Sequence, residues 1–248
     1  ETVPIDEGKL PALPLLMELG ALSIGAEAFN PANKVILLTE DTKTRPVRAL
    51  AAASGITNYA CLSYNGAGNL PGARQLARLL VDLRPDAQIM IHRDRDFRTE
   101  EEIAFEVKTF ENWCNQNNIS KVREIFTPYN DVEHSFCHPN HLKAAFSEKL
   151  TPEEIDNILA DVISEARDEM TGRMRIARTA LDNTLYASDR LRKKPEWQEA
   201  GLEAKPPKHS EFLPASGKDP LSFEQCYGKT LLQLLAHRLH HVLGGQLQ

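Results

Sequence analysis

The sequence predicts an α/β protein: a mostly parallel sheet flanked by helices, with a helical insertion subdomain. Three observations lead there. Short aliphatic runs alternate with amphipathic stretches through the first half of the chain. Each of the first three runs ends in acids or a glycine turn, the signature of strands whose carboxyl ends open on one crevice. From about His138 the alternation gives way to long helical periodicity.

The elements follow in order. KVILLTED, from Lys34 to Asp41, reads as a strand closed by acids. TRPVRALAAASG follows with helical spacing, and Gly55 stands where a helix C-cap needs left-handed backbone. NYACLSY is the second strand and runs into NGAGN. LPGARQLARLLVDLRP is an amphipathic helix with Leu76, Leu79, Leu80 and Leu83 on one stripe. AQIMIHRD is the third strand. TEEEIAFEVKTFENWCNQNN starts with a threonine cap and an acidic first turn, both favourable at the positive end of a helix. KVREIFT is the fourth strand. Beyond it, HPNHLKAAFSEKL and the stretch from Thr151 to Leu191 read as helices, with Thr151 as N-cap and Pro152 at the first helical position. Residues 193–220, rich in Pro and Lys, read as one long loop. SFEQCYGKTLLQLLAHRLHHVL reads as a final helix.

Composition narrows the class. At 248 residues the chain holds one large domain, or one domain with a sizeable insert. A hydrophobic content of 42% and a charged content of 26% are those of a soluble globular protein. No run of about 18 apolar residues exists, so no membrane partner is expected. The first ten residues lack the basic start and apolar middle of a signal peptide. The absence of an initiating Met suggests a piece of something longer. A net charge of −6 argues against bulk electrostatic binding of nucleic acid but leaves room for a local basic face. The four cysteines form no CxxC pair and are expected to be reduced, in the cytoplasm.

The acids carry the chemistry. Glu40 and Asp41 follow the first strand, Gly66 and Gly68 the second, Asp94 and Asp96 the third. Carboxylates gathered at the mouth of a sheet repel one another unless a cation neutralises them. Oxygen-only ligands suit Mg²⁺ or Mn²⁺, each taking one or two carboxylates. Two such ions about 4 Å apart activate a water and stabilise the leaving oxygen of a phosphodiester. A lone DxD is more often a solvated loop or a helix cap. The three strand ends together, with glycines that let backbone approach closely, favour the metal reading.

ILLTED, LSYNGAGN and IMIHRDRDF, in this order and spacing, resemble the Toprim pattern of Glu after strand one, Gly after strand two and Asp-x-Asp after strand three. Toprim domains occur in topoisomerases, primases and the nucleases of the OLD (overcoming lysogenization defect) group. The likeness covers about residues 34 to 130. The rest of the chain is similar to the OLD nucleases, which have a helical insertion, a further acid in a segment like DVEHSF and a late lysine. The resemblance implies Glu133, with Asp131 as an alternative, and Lys229 in CYGKTLL. Implied with them are a Toprim catalytic core over 1–135, a helical insertion over 136–200 and a loop and helix over 201–248 that return to the core. Glu40, Asp94, Asp96 and Lys229 would be catalytic, and Glu40, Asp41, Asp94, Asp96 and Glu133 would hold two divalent cations, Mg²⁺ or Mn²⁺, with Ca²⁺ as a non-catalytic substitute. The implied activity is a metal-dependent DNA endonuclease joined to an ABC-type ATPase domain, with DNA as partner and a homodimer as an open alternative. One position departs from the pattern. Where many OLD Toprims carry an Asp four residues after the first Glu, this chain has Thr44; either Asp41 substitutes or the first metal is held differently.

Other signals are weaker. GKT at 228–230 lacks the upstream Gly and the strand of a phosphate loop, since position 223 is Phe223. His134, Cys137, His138 and His141 lack the second Cys/His pair of a zinc site, and His134 reads better as a partner of Glu133. HRLHH near the end reads as an exposed helix face. Arg173, Arg175 and Arg178, with Arg190, Arg192, Lys193 and Lys194, form the one basic stretch and read either as a solvated helix or as a clamp on the DNA backbone. Competing functions stay open: a topoisomerase or primase Toprim, a non-catalytic DNA-binding module, and a phospho-acceptor switch, which needs only a single Asp after strand three.

Overall fold

The structure, a computed structural model, describes residues 27–214 and 219–244. It is α/β, with a four-stranded parallel sheet flanked by helices. The strands are β1 (Val35–Thr39), β2 (Tyr59–Ser63), β3 (Gln88–Arg93) and β4 (Val122–Phe126), in the order β2-β1-β3-β4. Strand β1 is therefore paired on both sides, with Thr39 opposite Ser63 and opposite His92. That position explains its unbroken aliphatic run, since a central parallel strand is covered on both faces and Ile36, Leu37 and Leu38 are all buried. Among the described residues no helix is long and apolar enough to cross a membrane.

The chain forms two compact units. The described part of one runs to His92 and includes Cys114–Ile125; the other comprises Arg93–Trp113 and the residues from Phe126 on. Residues 136–200 and the described residues of 201–248 lie together in the second of these units.

In the first unit, α1 (Arg45–Ala53) stops where Gly55 adopts φ +76°. The Ile56 N–H reaches the Ala51 carbonyl and the Gly55 N–H the Ala52 carbonyl, both at 3.0 Å, which satisfies the last carbonyls of the helix. Helix α2 (Leu70–Leu83) corrects the expected leucine stripe. Its buried residues are Ala73, Ala77 and Leu80, while Leu83 is 38% exposed. The inward face keeps Leu80 of the expected stripe and is otherwise set by the small Ala73 and Ala77, which a search for large apolar side chains passes over.

The second unit holds most of α3 (Glu100–Gln116), then α4 (Pro139–Ala145), α5 (Pro152–Leu185), α6 (Asp189–Arg192), α7 (Pro195–Glu199) and α8 (Gly228–Val242). Helix α5 is 34 residues long and begins with a capping box: Thr151 accepts from the Glu154 N–H, Glu154 accepts from the Thr151 N–H, and Pro152 follows the cap. Its residues Ile155, Leu159, Val162 and Met170 share a buried cluster with Leu231 and Leu235 of α8. The 193–220 stretch is not the structureless loop expected. Helix α7 buries Trp197 edge-on against Phe105 at 5.2 Å and Tyr186 at 5.3 Å. Nor does the last helix start at Ser222: residues Phe223–Gln225 form a short 3-10 turn, and α8 opens only at Gly228.

Arg178 of α5 is fully buried. Its guanidinium donates to both carboxylate oxygens of Glu102 at 2.6 and 2.9 Å, to Asp182 at 3.0 Å and to the Phe97 carbonyl at 3.0 Å. Glu102 is fully buried as well, accepts from the Thr99 N–H at 2.8 Å and so caps α3. Removing one partner of such a pair strands the other charge in the interior. Arg178→Met is expected to cost about 3–5 kcal/mol in urea unfolding. Arg178→Met with Glu102→Gln should be the more stable of the two variants, because the stranded charge is gone; equal loss in both would show that the pair carries no such coupling.

Candidate functional site

Each unit supplies part of the predicted set. In the first, β1 delivers Glu40 and Asp41 one and two residues past Thr39, and both are buried. The Tyr64 hydroxyl reaches Glu40 Oε2 at 3.5 Å and the His92 carbonyl at 3.0 Å. The Gly66 N–H donates to the Glu40 carbonyl at 2.7 Å, so the turn after β2 folds back over the end of β1. Gly66 has φ +98°, which only glycine adopts readily. Gly68 has no such need: it lies in a 3-10 turn over Ala67–Asn69 with open space at its Cβ position. Asp41 is engaged locally, its Oδ2 lying 3.3 Å from Thr39 Oγ1, which in turn meets His92 Nδ1 at 3.0 Å. Thr44 accepts from Arg48 Nε at 3.2 Å.

In the second unit, the chain leaves β3 through Asp94 and at once enters left-handed backbone, with φ +48° at Asp96 and +60° at Phe97. Two consecutive non-glycine residues there are costly and persist only where surrounding bonds over-determine them. Here the Arg95 N–H donates to Thr127 Oγ1 at 3.0 Å, the Asp96 N–H to the Asn130 carbonyl at 2.9 Å, and the Phe97 N–H to Asn130 Oδ1 at 3.0 Å. Asp94 is 3% exposed, whereas the Asp96 side chain is 32% exposed and lies 3.8 Å from Arg98. Arg93 and Arg98 turn to Glu106 and, against the effect of burial, hold its carboxyl below the usual range. Arg95 pairs with Glu100 at 2.7 Å.

The DVEHSF segment and the start of α8 complete this part. Lys229 Nζ lies 3.4 Å from Asp94 Oδ2 and 3.8 Å from Glu133 Oε2, across 135 residues of sequence in the first case. Asp131, the alternative acid of the resemblance, is engaged by two backbone amides. Its Oδ1 accepts from the His134 N–H and its Oδ2 from the Lys229 N–H, both at 3.0 Å, so one carboxylate caps the 3-10 turn over Val132–Cys137 and the N-terminus of α8. Burial nevertheless pushes the Asp131 carboxyl up to about 6. The Gly of GKT is explained by the same contact: a Cβ at Gly228 would fall inside the Asp131 carboxylate and the His134 backbone.

The basic stretch divides. Arg178 is buried and bound as described above, so it is not a phosphate contact; its three acid and carbonyl partners outcompeted solvent. Arg175 is exposed. Arg173 pairs with Glu169 at 2.9 Å and sits 5.5 Å over the ring of Tyr227. His134 is also reassigned. It is fully buried, stacked on Tyr129 at 4.6 Å with Phe223 edge-on at 4.2 Å. Burial pushes its pKa down to about 4, so the ring is neutral at pH 7. The four cysteines are free and buried, and burial pushes Cys61 up to about 11 and Cys226 up to about 12. Sequence reading missed Asn130; an Asn beside a turn is too common to stand out.

Among the described residues, no three His, Cys, Asp or Glu side chains stand together as a ready metal-ligand group. No protein-family model matches the chain, and neither a curated protein nor a solved structure matches it.

Two outcomes are expected from this geometry. Gly228→Ala should lower stability by about 3 kcal/mol in a thermal or urea melt, because neither a carboxylate held by two amides nor a turn backbone moves aside cheaply. The second concerns pH. The folded value of His134, about 4, lies below its ordinary 6.5, so the unfolded chain binds this proton first. Its contribution is complete above pH 6.5 and is lost as pH falls through about 4. Asp131 has the opposite sign, since its folded value of about 6 lies above 3.8 and its contribution is lost as pH rises. The urea-stability difference between wild type and His134→Phe should therefore shift by about 2–3 kcal/mol, against the wild type, between pH 7 and 4.5. A pH-independent difference would mean that His134 binds its proton in the fold as readily as in the unfolded chain.

Proposed function

We propose that this chain is the Toprim-like catalytic module of a divalent-cation-dependent DNA nuclease of the OLD type. The observation that carries the reading is the convergence of Asp94, Glu133 and Lys229, from three distant segments of one unit, at the carboxyl end of β3. The oxygen donors are hard, as Mg²⁺ and Mn²⁺ require. An ammonium already sits between Asp94 and Glu133, so positive charge is accommodated where they converge. Asp94 and Glu133, with the more exposed Asp96, are the groups in this unit that would hold cations. Glu40 and Asp41, assigned by the resemblance, lie in the other unit, and the reading rests on the second unit alone.

Bound Mg²⁺ or Mn²⁺ would lower the pKa of a water and offset the charge of the leaving oxygen. The chain's own groups do the rest. Asp94, largely buried, presents a carboxylate whose position is fixed by the strand end. Lys229, half exposed, presents its ammonium to a phosphoryl oxygen and stabilises the charge that grows there as the water oxygen bonds to phosphorus and the ester P–O bond breaks. A lysine suits this task because its ammonium is a compact point charge on a flexible stem. DNA is the proposed partner, and the resemblance adds an ATPase domain in the full-length protein.

Nicking of supercoiled plasmid with Mg²⁺ or Mn²⁺ is the test. Wild type should nick, and Asp94→Ala with Asp96→Ala should abolish nicking with the circular dichroism unchanged. Lys229→Ala should lower the rate roughly 100-fold, with partial recovery in Lys229→Arg. Full activity in the Asp94/Asp96 double variant would overturn the assignment.

A further inference from the structure

We infer that Asn130 is the positioning residue of this centre, holding the turn that carries Asp94 and Asp96 and the segment that carries Lys229 in one arrangement. The part of the inference that concerns metal and DNA rests on the nuclease reading; the part that concerns the turn does not.

Asn130 is 4% exposed and follows β4 by four residues. Its backbone carbonyl accepts from the Asp96 N–H at 2.9 Å, and its side-chain Oδ1 accepts from the Phe97 N–H at 3.0 Å. These are the two residues with positive φ. Its Nδ2 donates to the Glu224 carbonyl at 3.0 Å and to the Cys226 carbonyl at 2.7 Å. Those carbonyls lie five and three residues before Lys229. The orientation of the amide is not arbitrary: a peptide N–H on one side and two carbonyls on the other can be satisfied in only one sense. The next residue, Asp131, binds the Lys229 N–H, so two consecutive side chains bracket the approach to the lysine.

No other side chain performs this combination. Asp offers the acceptor but no donor. Ser and Thr are too short to serve three groups on two segments. Gln has the right groups on a longer, less constrained stem. The geometry also answers why two non-glycine residues, Asp96 and Phe97, tolerate left-handed backbone so soon after Asp94. Their amides are turned toward Asn130, and in that conformation the turn leads the chain away from β3 with the Asp96 carboxylate partly exposed. Without the Oδ1 acceptor, the Phe97 N–H loses its partner and the turn loses one of the bonds that hold it strained.

The two arms of the amide can be separated in the full chain. Asn130→Ala removes both. Asn130→Asp keeps an acceptor for Phe97 but sets a carboxylate against the carbonyls of Glu224 and Cys226. Hydrogen exchange should rise at least about 10-fold in peptides covering 94–98 in Asn130→Ala and stay near wild type there in Asn130→Asp, while peptides covering 222–229 exchange faster in both. Peptides from the middle of α5 should not change in either. Mn²⁺ affinity should fall about 10-fold in Asn130→Ala and be kept in Asn130→Asp. The nicking rate constant should fall in both variants with KM for plasmid unchanged. Unchanged exchange over 94–98 in Asn130→Ala overturns the inference, and so does a uniform rise that includes α5, since that is the mark of a residue holding the fold at large. A wild-type chain that neither binds Mn²⁺ nor nicks plasmid overturns the nuclease reading, and the exchange pattern then still decides whether Asn130 holds the turn.

Discussion

A single buried guanidinium organises the larger of the two units. Arg178 lies in the C-terminal part of a 34-residue helix and binds Glu102, Asp182 and the Phe97 carbonyl. Burying such a charge is unfavourable by itself, and the bidentate pair with Glu102 in a low dielectric offsets it, with Asp182 and the Phe97 carbonyl taking two further N–H groups while the buried Nε has no acceptor. The consequence is specificity of arrangement. One residue ties α5, the start of α3 and the turn after β3, three segments that are far apart in sequence. Glu102 adds to this by capping α3 with one oxygen while Tyr186 donates to the other at 2.8 Å.

The candidate centre is built on the same economy of polar groups. Asp131 satisfies the first amides of two helical segments with one carboxylate, and α8 is 15 residues long, so the positive end of its dipole faces that carboxylate. This brings the α8 N-terminus close enough that position 228 must be glycine, and the next residue then projects an ammonium toward Asp94 and Glu133. Lys229 therefore owes its place to backbone contacts made by its neighbours. Its side chain is 41% exposed.

Much of the frame was legible in the sequence because the signals are local. Aliphatic runs in a parallel sheet are continuous, Gly55 marks a left-handed C-cap, and Thr151-Pro152 with Glu154 marks a helix start. The acids beyond the strands stood out for the same reason. What misled were signals whose meaning depends on the far side of the contact. The leucines of α2 suggested one face, and Ala73 and Ala77 turned it so that only Leu80 of the stripe is fully buried. The arginines at 173 to 178 looked alike, yet one is fully buried and another is exposed, because only Arg178 meets Glu102. SFEQ looked helical by composition, but its chain direction is fixed by Asn130 holding the Glu224 and Cys226 carbonyls.

By itself, the sequence determined the α/β class, the alternation of strands and helices, and the acids and lysine that are candidates for chemistry. Periodicity, caps and strand-end composition act over a few residues and need no partner to be read. Tertiary structure alone decided that Asp94, Glu133 and Lys229 meet, that Asp131 caps instead of standing free, that His134 is a neutral ring between aromatics, and that Asn130 joins the turn to the lysine segment. Most of these outcomes depend on hydrogen bonds, ion pairs or ring contacts between segments from a few tens of residues to well over a hundred apart, and these form only once packing has brought the groups together.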